Sequence, residues 1–306
     1  MLQRVLARLV GGFAVWLAVA ALTFGLTYLV PGNPARMIAG PQADPATVAR
    51  IQAQLGLDDP VWLRFGRYIW QALHGDFGTS YITDQAVLPA ILERFPATLM
   101  LALGAICVYL LLGGVLGILA AVRPATVWDR LASTFAIAGY SVPSFWIGML
   151  LLLLLAYRFP VFPLGGADTL WHLVLPSLTL GLAGAASYAR VLRQTLGEEL
   201  RKDYVRAARA RGLSETRVVL DHALRNAALP LVTLLGLDFA GLLGGALLTE
   251  SIFAWPGIGN QAYRAIDTLD VPMIMGTVLF AATIIIAVNA LVDASYAVLD
   301  PRLRES

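Results

Sequence analysis

DYVRAARARGLSETRVVLDHALRNAALP, residues 203–230, is the longest strongly charged stretch between two apolar runs of the chain. From Leu200 to Arg211 the sequence is rich in good helix formers, and Gly212 stands where a helix end wants a residue free to take positive φ. A helix is predicted to stop there. Ser214 is then the expected N-cap of a second helix, with Glu215 in the first turn facing the positive dipole end and Leu213 placed to pack on Val218. That helix is expected to run to Leu229, because Pro230 disfavours helical geometry at the residue before it. The small residues Ala207, Ala208, Ala210 and Gly212 would let another surface approach the backbone, while Lys202, Arg206 and Arg209 recur at helical spacing along a polar face. Two readings stand at this point: a docking element, or a solvated basic loop that only sets membrane orientation.

On both sides of this stretch the chain is apolar. With 58% hydrophobic residues, 14% charged and a mean hydropathy of +0.72, it lies far from the soluble average. The expected fold class is an all-α integral membrane protein. Apolar runs at 9–30, 97–122, 131–157, 173–189, 227–249 and 271–292 are close to or above bilayer-crossing length, and six crossings put both termini on one side. Arg4, Arg8, Arg123, Arg130, the nine basic residues from Arg190 to Arg225, Arg302 and Arg304 make 15 of the 22 Lys and Arg; the other face holds 7. By the positive-inside rule the richer face, with both termini, is cytoplasmic. A net charge of +2 calls for no nucleic-acid partner. A cleaved signal peptide is the rival reading of the N-terminus, from Arg4, Arg8 and the small residues Ala18 to Ala20, but the apolar run continues to Val30. The single cysteine, Cys107, allows no intrachain disulfide.

One transmembrane domain is expected over 1–306: an N-terminus and first helix at 1–30, an extracytoplasmic loop at 31–96, and a five-helix core at 97–306 with a cytoplasmic loop at 193–229. Within the long loop, Val48, Ile51 and Leu55 have helical spacing. Trp62, Phe65, Ile69, Trp70 and Leu73 mark one side of a second helix, lying in the membrane interface or packed on the protein's own surface. Gly113 with Gly117, and Gly241 with Gly245, form GxxxG pairs suited to close helix packing within the subunit. The fifth run is the most Gly-rich and the best candidate for a translocation wall. Asp238 is the one ionisable side chain well inside an apolar run, about 12 Å beyond Pro230 at helical rise.

Several functions are disfavoured. An ion-driven transporter usually holds its coupling ion with buried carboxylates or broken helices, and here such carboxylates are scarce. The sole lysine, Lys202, follows Arg201, so there is no phosphate-binding GxxxxGK[ST] loop and any ATPase must be a separate subunit. His74, His172 and His222 fall in three segments with no partner at metal-ligand spacing, and no catalytic motif accompanies them. No enzyme, no metal site and no bound cofactor are expected.

Taken together, several stretches resemble the permease subunits of ATP-binding-cassette importers of the dipeptide, oligopeptide and nickel class. Ala207-Ala208 followed by Gly212 matches the spacing of that superfamily's Glu-Ala-Ala loop, although Arg206 stands where the general motif has Glu and Pro230 comes late. Both departures are familiar in the peptide branch. Other matches are Pro31-Gly32-Asn33-Pro34, Leu55-Gly56-Leu57-Asp58, Gly75-Asp76-Phe77-Gly78, Val142-Pro143-Ser144-Phe145, Leu175-Pro176-Ser177, Glu250 with Phe253 and Trp255-Pro256-Gly257-Ile258-Gly259, and Leu299-Asp300-Pro301-Arg302. The resemblance implies a type I importer fold in a bacterial inner membrane and an ATPase-coupling loop carrying Arg206, Ala207, Ala208, Gly212, Leu213 and Pro230. It also implies a second permease in a heterodimer, two cytoplasmic ATPases using ATP and Mg, an extracytoplasmic binding protein, and surrounding lipid. The candidate pathway residues are Asp238, Gly241, Gly245, Trp255, Pro256 and Gly257. Dipeptides, longer peptides, glutathione and nickel are the substrates that the resemblance allows, and an ion-gradient-driven transporter is the alternative.

Overall fold

The computed structural model describes residues 2–27, 34–40, 42–54 and 56–299. Among them every element is helical except one isolated antiparallel bridge between Thr79 and Ala86. In chain order the helices are α1 (Leu2–Thr27), α2 (Pro34–Ala39), α3 (Pro45–Gln54), α4 (Val61–Leu73), α5 (Val87–Val108), α6 (Val115–Val122), α7 (Val127–Ser141) and α8 (Ser144–Leu151). They continue as α9 (Leu170–Glu199), α10 (Asp203–Ala210), α11 (Glu215–Arg217), α12 (Leu224–Ala227), α13 (Leu229–Leu243), α14 (Leu247–Ile252), α15 (Ile258–Asp267) and α16 (Val271–Leu299). Three π-helical segments extend or join them: Tyr109–Gly114 between α5 and α6, Leu152–Arg158 after α8, and Val218–Ala223 between α11 and α12.

Among the described residues each of the six apolar runs is largely helical, but the breaks differ from expectation. Three helical stretches are long and apolar enough to cross a membrane unaided: Val87–Val122, Leu170–Glu199 and Val271–Val292. The first of these begins at Val87 rather than Ala97 and carries Pro96 inside it. Its early turns are buried through Val87, Ala90 and Ile91 against Ile258, Ala265 and Met273, packing that outweighs the missing proline N–H. The run at 131–157 is a pair of helices bent by more than 40°, broken where Val142 turns extended before Pro143. The run at 227–249 is likewise divided. A 55° bend separates Ala227 from Leu229, and a second break at Gly244-Gly245 precedes α14. The apolar part of α1 is Val10–Leu26. The expected turn at 31–33, the last residues of the first apolar run, Leu55, and the motif residues 300–302 lie outside the described residues.

The contacts divide the chain into two compact units. One comprises Met1–Thr98, Leu243–Leu247 and Pro256–Leu291. Here α4 lays Phe65, Tyr68, Ile69 and Ala72 toward α1 and α16, in a cluster with Trp16, Ala20 and Leu279. The stripe is centred nearer Tyr68 and Ala72 than the sequence suggested, so Trp62, Trp70 and Leu73 end up outside, the two tryptophans 78% and 67% exposed. Trp16 Nε1 donates to Thr283 Oγ1 at 3.0 Å, tying α1 to α16.

The other unit comprises Leu99–Leu242, Leu248–Trp255 and Val292–Ser306. Its centre is α9, which packs on α6, α7, α8, α12 and the π segment at Tyr109–Gly114. The GxxxG pair Gly113 and Gly117 makes this possible: a Cβ at Gly113 would stand 2.6 Å from the Ala185 carbonyl, and one at Gly117 2.9 Å from Leu192 Cβ. Gly184 of α9 returns the favour by receiving the ring of Tyr109.

Candidate functional site

The charged stretch folds as two short helices on the end of α9. Residue Leu200 closes α9, so the helix expected from Leu200 begins at Asp203 instead and reaches Ala210. The break is held by Glu199, which accepts from Lys202 Nζ at 2.6 Å and from Tyr204 Oη at 2.6 Å, while Asn226 Nδ2 donates to Tyr204 Oη at 3.1 Å. This clamp joins the end of α9 to α10 and α12. Burial pushes the Glu199 carboxyl up, but the ammonium and the phenol together hold it below its ordinary value.

Gly212 follows α10 with φ +79°, as a helix-ending glycine should. Ser214 is the N-cap of α11, in extended geometry but without a side-chain cap hydrogen bond. Glu215 does more than face the helix dipole: its two carboxylate oxygens accept from Arg209 Nε at 2.7 Å and Arg209 Nη2 at 3.2 Å across the turn. The guanidinium holds the Glu215 carboxyl below its ordinary value. The second helix passes through a π turn at Val218–Ala223 and stops at Ala227, before rather than at Leu229, with Leu229 and Pro230 opening α13. The proline thus occupies a first helical turn, where a missing N–H costs nothing. Thr195 Oγ1 lies 3.0 Å from the Ala227 carbonyl and pins this break to α9.

The two faces of the element are chemically distinct. Val205, Ala208, Val218, Val219 and Ala223 point inward and join one core with Leu192 and Leu196 of α9 and Leu231 of α13; Leu213 packs against the same cluster. Arg206, Ala207, Ala210, Arg211 and Gly212 are exposed. Of the small residues expected on the approach surface, Ala208 is therefore part of the protein's own core. The basic face is also partly neutralised, since Lys202 pairs with Glu199, Arg206 with Asp203 at 3.3 Å and Arg209 with Glu215. Glu199, Tyr204, Asn226 and Thr195 were not singled out from the sequence; the only legible signal was the i,i+3 pair Glu199 and Lys202.

Residues 113–305 match the family model described as binding-protein-dependent transport system inner membrane component, and residues 1–102 match the N-terminal model of such membrane components. A glutathione transport system permease protein, GsiC, of Salmonella paratyphi A is 44% identical over 304 residues, 99% of each chain. The protein of that name from Escherichia coli (strain K12) is 41% identical over the same share. The chain belongs to this family of inner membrane transport components. Two inward-facing structures of the MetNI methionine ABC transporter share the fold, with TM-scores of 0.51 and 0.50 at 17% and 19% identity, covering 68% and 67% of this chain and 97% and 95% of theirs. The protein is thus an ATP-binding-cassette importer permease of the inner membrane, not itself an enzyme, and it works with separate ATPase and substrate-binding subunits.

In this permease the remaining candidate residues are distributed over both compact units. Asp238 is half-buried on α13 and is the charged group facing the phenols of Tyr109 and Tyr188; the Tyr188 hydroxyl is buried with no hydrogen bond of normal geometry. Gly241 is exposed, with open space where a Cβ would stand. Gly245 has φ +102° and lies 3.0 Å, at its would-be Cβ, from the backbone of Gly259, so a backbone-to-backbone approach requires both glycines. Trp255 is only 2% exposed and belongs to the packed interior, Pro256 is exposed, and Gly257 caps the start of α15.

Proposed function

We propose that this permease moves small peptides, glutathione among them, into the cell by alternating access, driven by ATPases that dock on the segment Asp203–Pro230. The observation that carries the coupling role is the double face of α10 and α11. Their exposed side presents Arg206, Ala207, Arg211 and Gly212, while their inner side is built into the core that holds α9 and α13. A subunit that pushes on the outside therefore moves two long helices, because close-packed interiors transmit displacement rather than absorb it. With Arg206 where the general motif has Glu, the charged contact to the ATPase is made from the basic side.

In this reading six crossings place both termini in the cytoplasm, and a second, different permease completes the channel within the lipid. A binding protein delivers substrate from outside. ATP and Mg are used by the partner subunits, and this chain binds no cofactor. The names of the relatives favour glutathione over nickel.

Uptake of labelled glutathione and of a labelled dipeptide into proteoliposomes holding the full assembly tests the proposal. Uptake should require ATP and the binding protein and survive collapse of ion gradients. Gradient-driven uptake without ATP would establish the secondary-transporter reading instead.

A further inference from the structure

The outward arc of α4 carries none of that helix's charges. Arg64, Arg67 and Gln71 turn to one side, where they line a polar cavity and Arg67 is bound to Asp59 at 2.7 Å. Phe65, Tyr68, Ile69 and Ala72 turn inward against α1 and α16. What remains facing out is Trp62, Leu63, Gly66, Trp70 and Leu73, every one of them exposed. A helix that meets water on its outer side puts its charged residues there. This one puts large apolar side chains and two indoles there instead, the composition of a helix face at a bilayer surface.

Between this arc and α1 runs an open groove of about 350 Å³. Ala21, Phe24 and Gly25 of α1 form one wall and Val61, Trp62 and Phe65 of α4 the other, so the indole N–H of Trp62 is the one polar side-chain group in the lining. The groove owes its depth to the α1 side. Ala21 and Gly25 lie one helical turn apart on one face, and a Cβ on Gly25 would meet no atom within 4 Å. Beside them Leu22 and Leu26 are exposed, and both belong to the apolar stretch Val10–Leu26 of this inner membrane protein. The groove therefore opens on the apolar outer surface of α1, at the C-terminal end of that stretch.

We infer that this groove holds an acyl chain of a membrane phospholipid, laid along Ala21 and Gly25, with the Trp62 N–H as the donor for an ester carbonyl. The lining holds no charge that a polar substrate could use, and it is continuous with the exposed leucines of α1. Tryptophan suits the rim of such a site, because its ring is apolar while its N–H seeks an acceptor at headgroup level. The chain would fill the space between the exposed edges of α1 and α4 and so help to hold α4 in place. The inference rests on the reading of α1 as a membrane crossing and is independent of what the transporter carries.

The test uses the assembled transporter in nanodiscs whose phosphatidylcholine carries a nitroxide on its acyl chain. The fluorescence present in the parent and absent from Trp62→Phe isolates Trp62 from the other tryptophans. That component should lose most of its intensity to the nitroxide lipid and keep it in aqueous iodide. Gly25→Leu, whose side chain has open space to enter the groove, should restore most of the lost intensity at a melting temperature no lower than the parent's. Ala21→Leu, on the same wall, is the second filling variant and should do the same. Quenching by iodide and not by lipid makes this a solvated face and overturns the inference. Protection from both quenchers means that another subunit covers it, and overturns it equally. Lipid quenching that both filling variants leave intact removes the groove as the seat of the chain. A nitroxide at position 22, from Leu22→Cys in a Cys107→Ser background labelled before assembly, separates the two levels. Oxygen should relax it more than an aqueous nickel chelate does, and the reverse result rejects the membrane crossing of α1 itself.

Discussion

Gly212 has open space where a Cβ would stand and a φ of +79°, so what it contributes is backbone conformation and not room for a neighbour within this chain. A left-handed residue costs an ordinary L-amino acid about 1–2 kcal/mol, less for asparagine, whose side chain bonds locally. Gly212→Asn should therefore retain most ATP-dependent uptake, while Gly212→Val should lower it severalfold at matched membrane levels. If both fail equally, the ATPase needs the bare glycine surface itself. Asp238 raises a different question. A carboxylate within an apolar run costs roughly 2.5–3.5 kcal/mol on insertion scales unless it finds water or a partner, and here two tyrosine phenols face it. These phenols support a structural role for Asp238. Asp238→Asn should change uptake of a free dipeptide and of its N-acetylated form to the same extent; a selective loss of the free-amine peptide would assign Asp238 to substrate recognition.

At the scale of elements, α9 depends on the bare flanks of the π segment and α6. Gly113→Leu and Gly117→Leu drive a side chain into the Ala185 carbonyl and Leu192 Cβ, and overpacking of this kind costs about 1–3 kcal/mol. Both variants should melt lower in detergent, whereas Gly114→Leu, at a position with open space, should melt like the parent. The two short helices depend on carboxylates. Glu199 and Glu215 both lie below their ordinary values in the folded protein, so their contribution is present above the unfolded-state value and is lost as pH falls through the folded one. Spin labels on α9 and α10 should report a single narrow distance at neutral pH and a broader one on acidification below the carboxylate range. Glu199→Gln should broaden it already at neutral pH, because it removes the charge that Lys202 and Tyr204 share.

For the molecule as a whole, many large apolar side chains face outward, among them Leu22 on α1, Leu111 in the π segment and Leu291 on α16, exposed by 67–69%. In the proposed assembly, lipid would cover some of this surface and a second permease the rest. Co-expression with that partner should raise the melting temperature of the purified protein well above that of the chain alone. A stable homodimer able to bind an ATPase would sink the heterodimer assignment.

Much of this permease was determined by residue order alone. Apolar run length placed the helices and Gly212 ended α10, because each depends on local backbone preference or on composition, while the spacing of Ala207, Ala208 and Gly212 carried the family resemblance. Three things depended on tertiary structure. The bends inside the runs at 131–157 and 227–249 arise where helix-breaking residues meet competing packing, as does the continuation of α5 through Pro96, and periodicity cannot say which side wins. Ala208 was indistinguishable from Ala207 in sequence, yet one is core and the other surface, because only the docking of α10 on Val218 and Val219 sets the helix's rotation. Glu199, Tyr204 and Asn226 meet through the fold of α9, α10 and α12, and Ser80 and Tyr81 meet the carboxylate of Asp270 from a distant part of the chain. Side chains distant in sequence come together only when buried surfaces choose their partners, and that choice is made by packing.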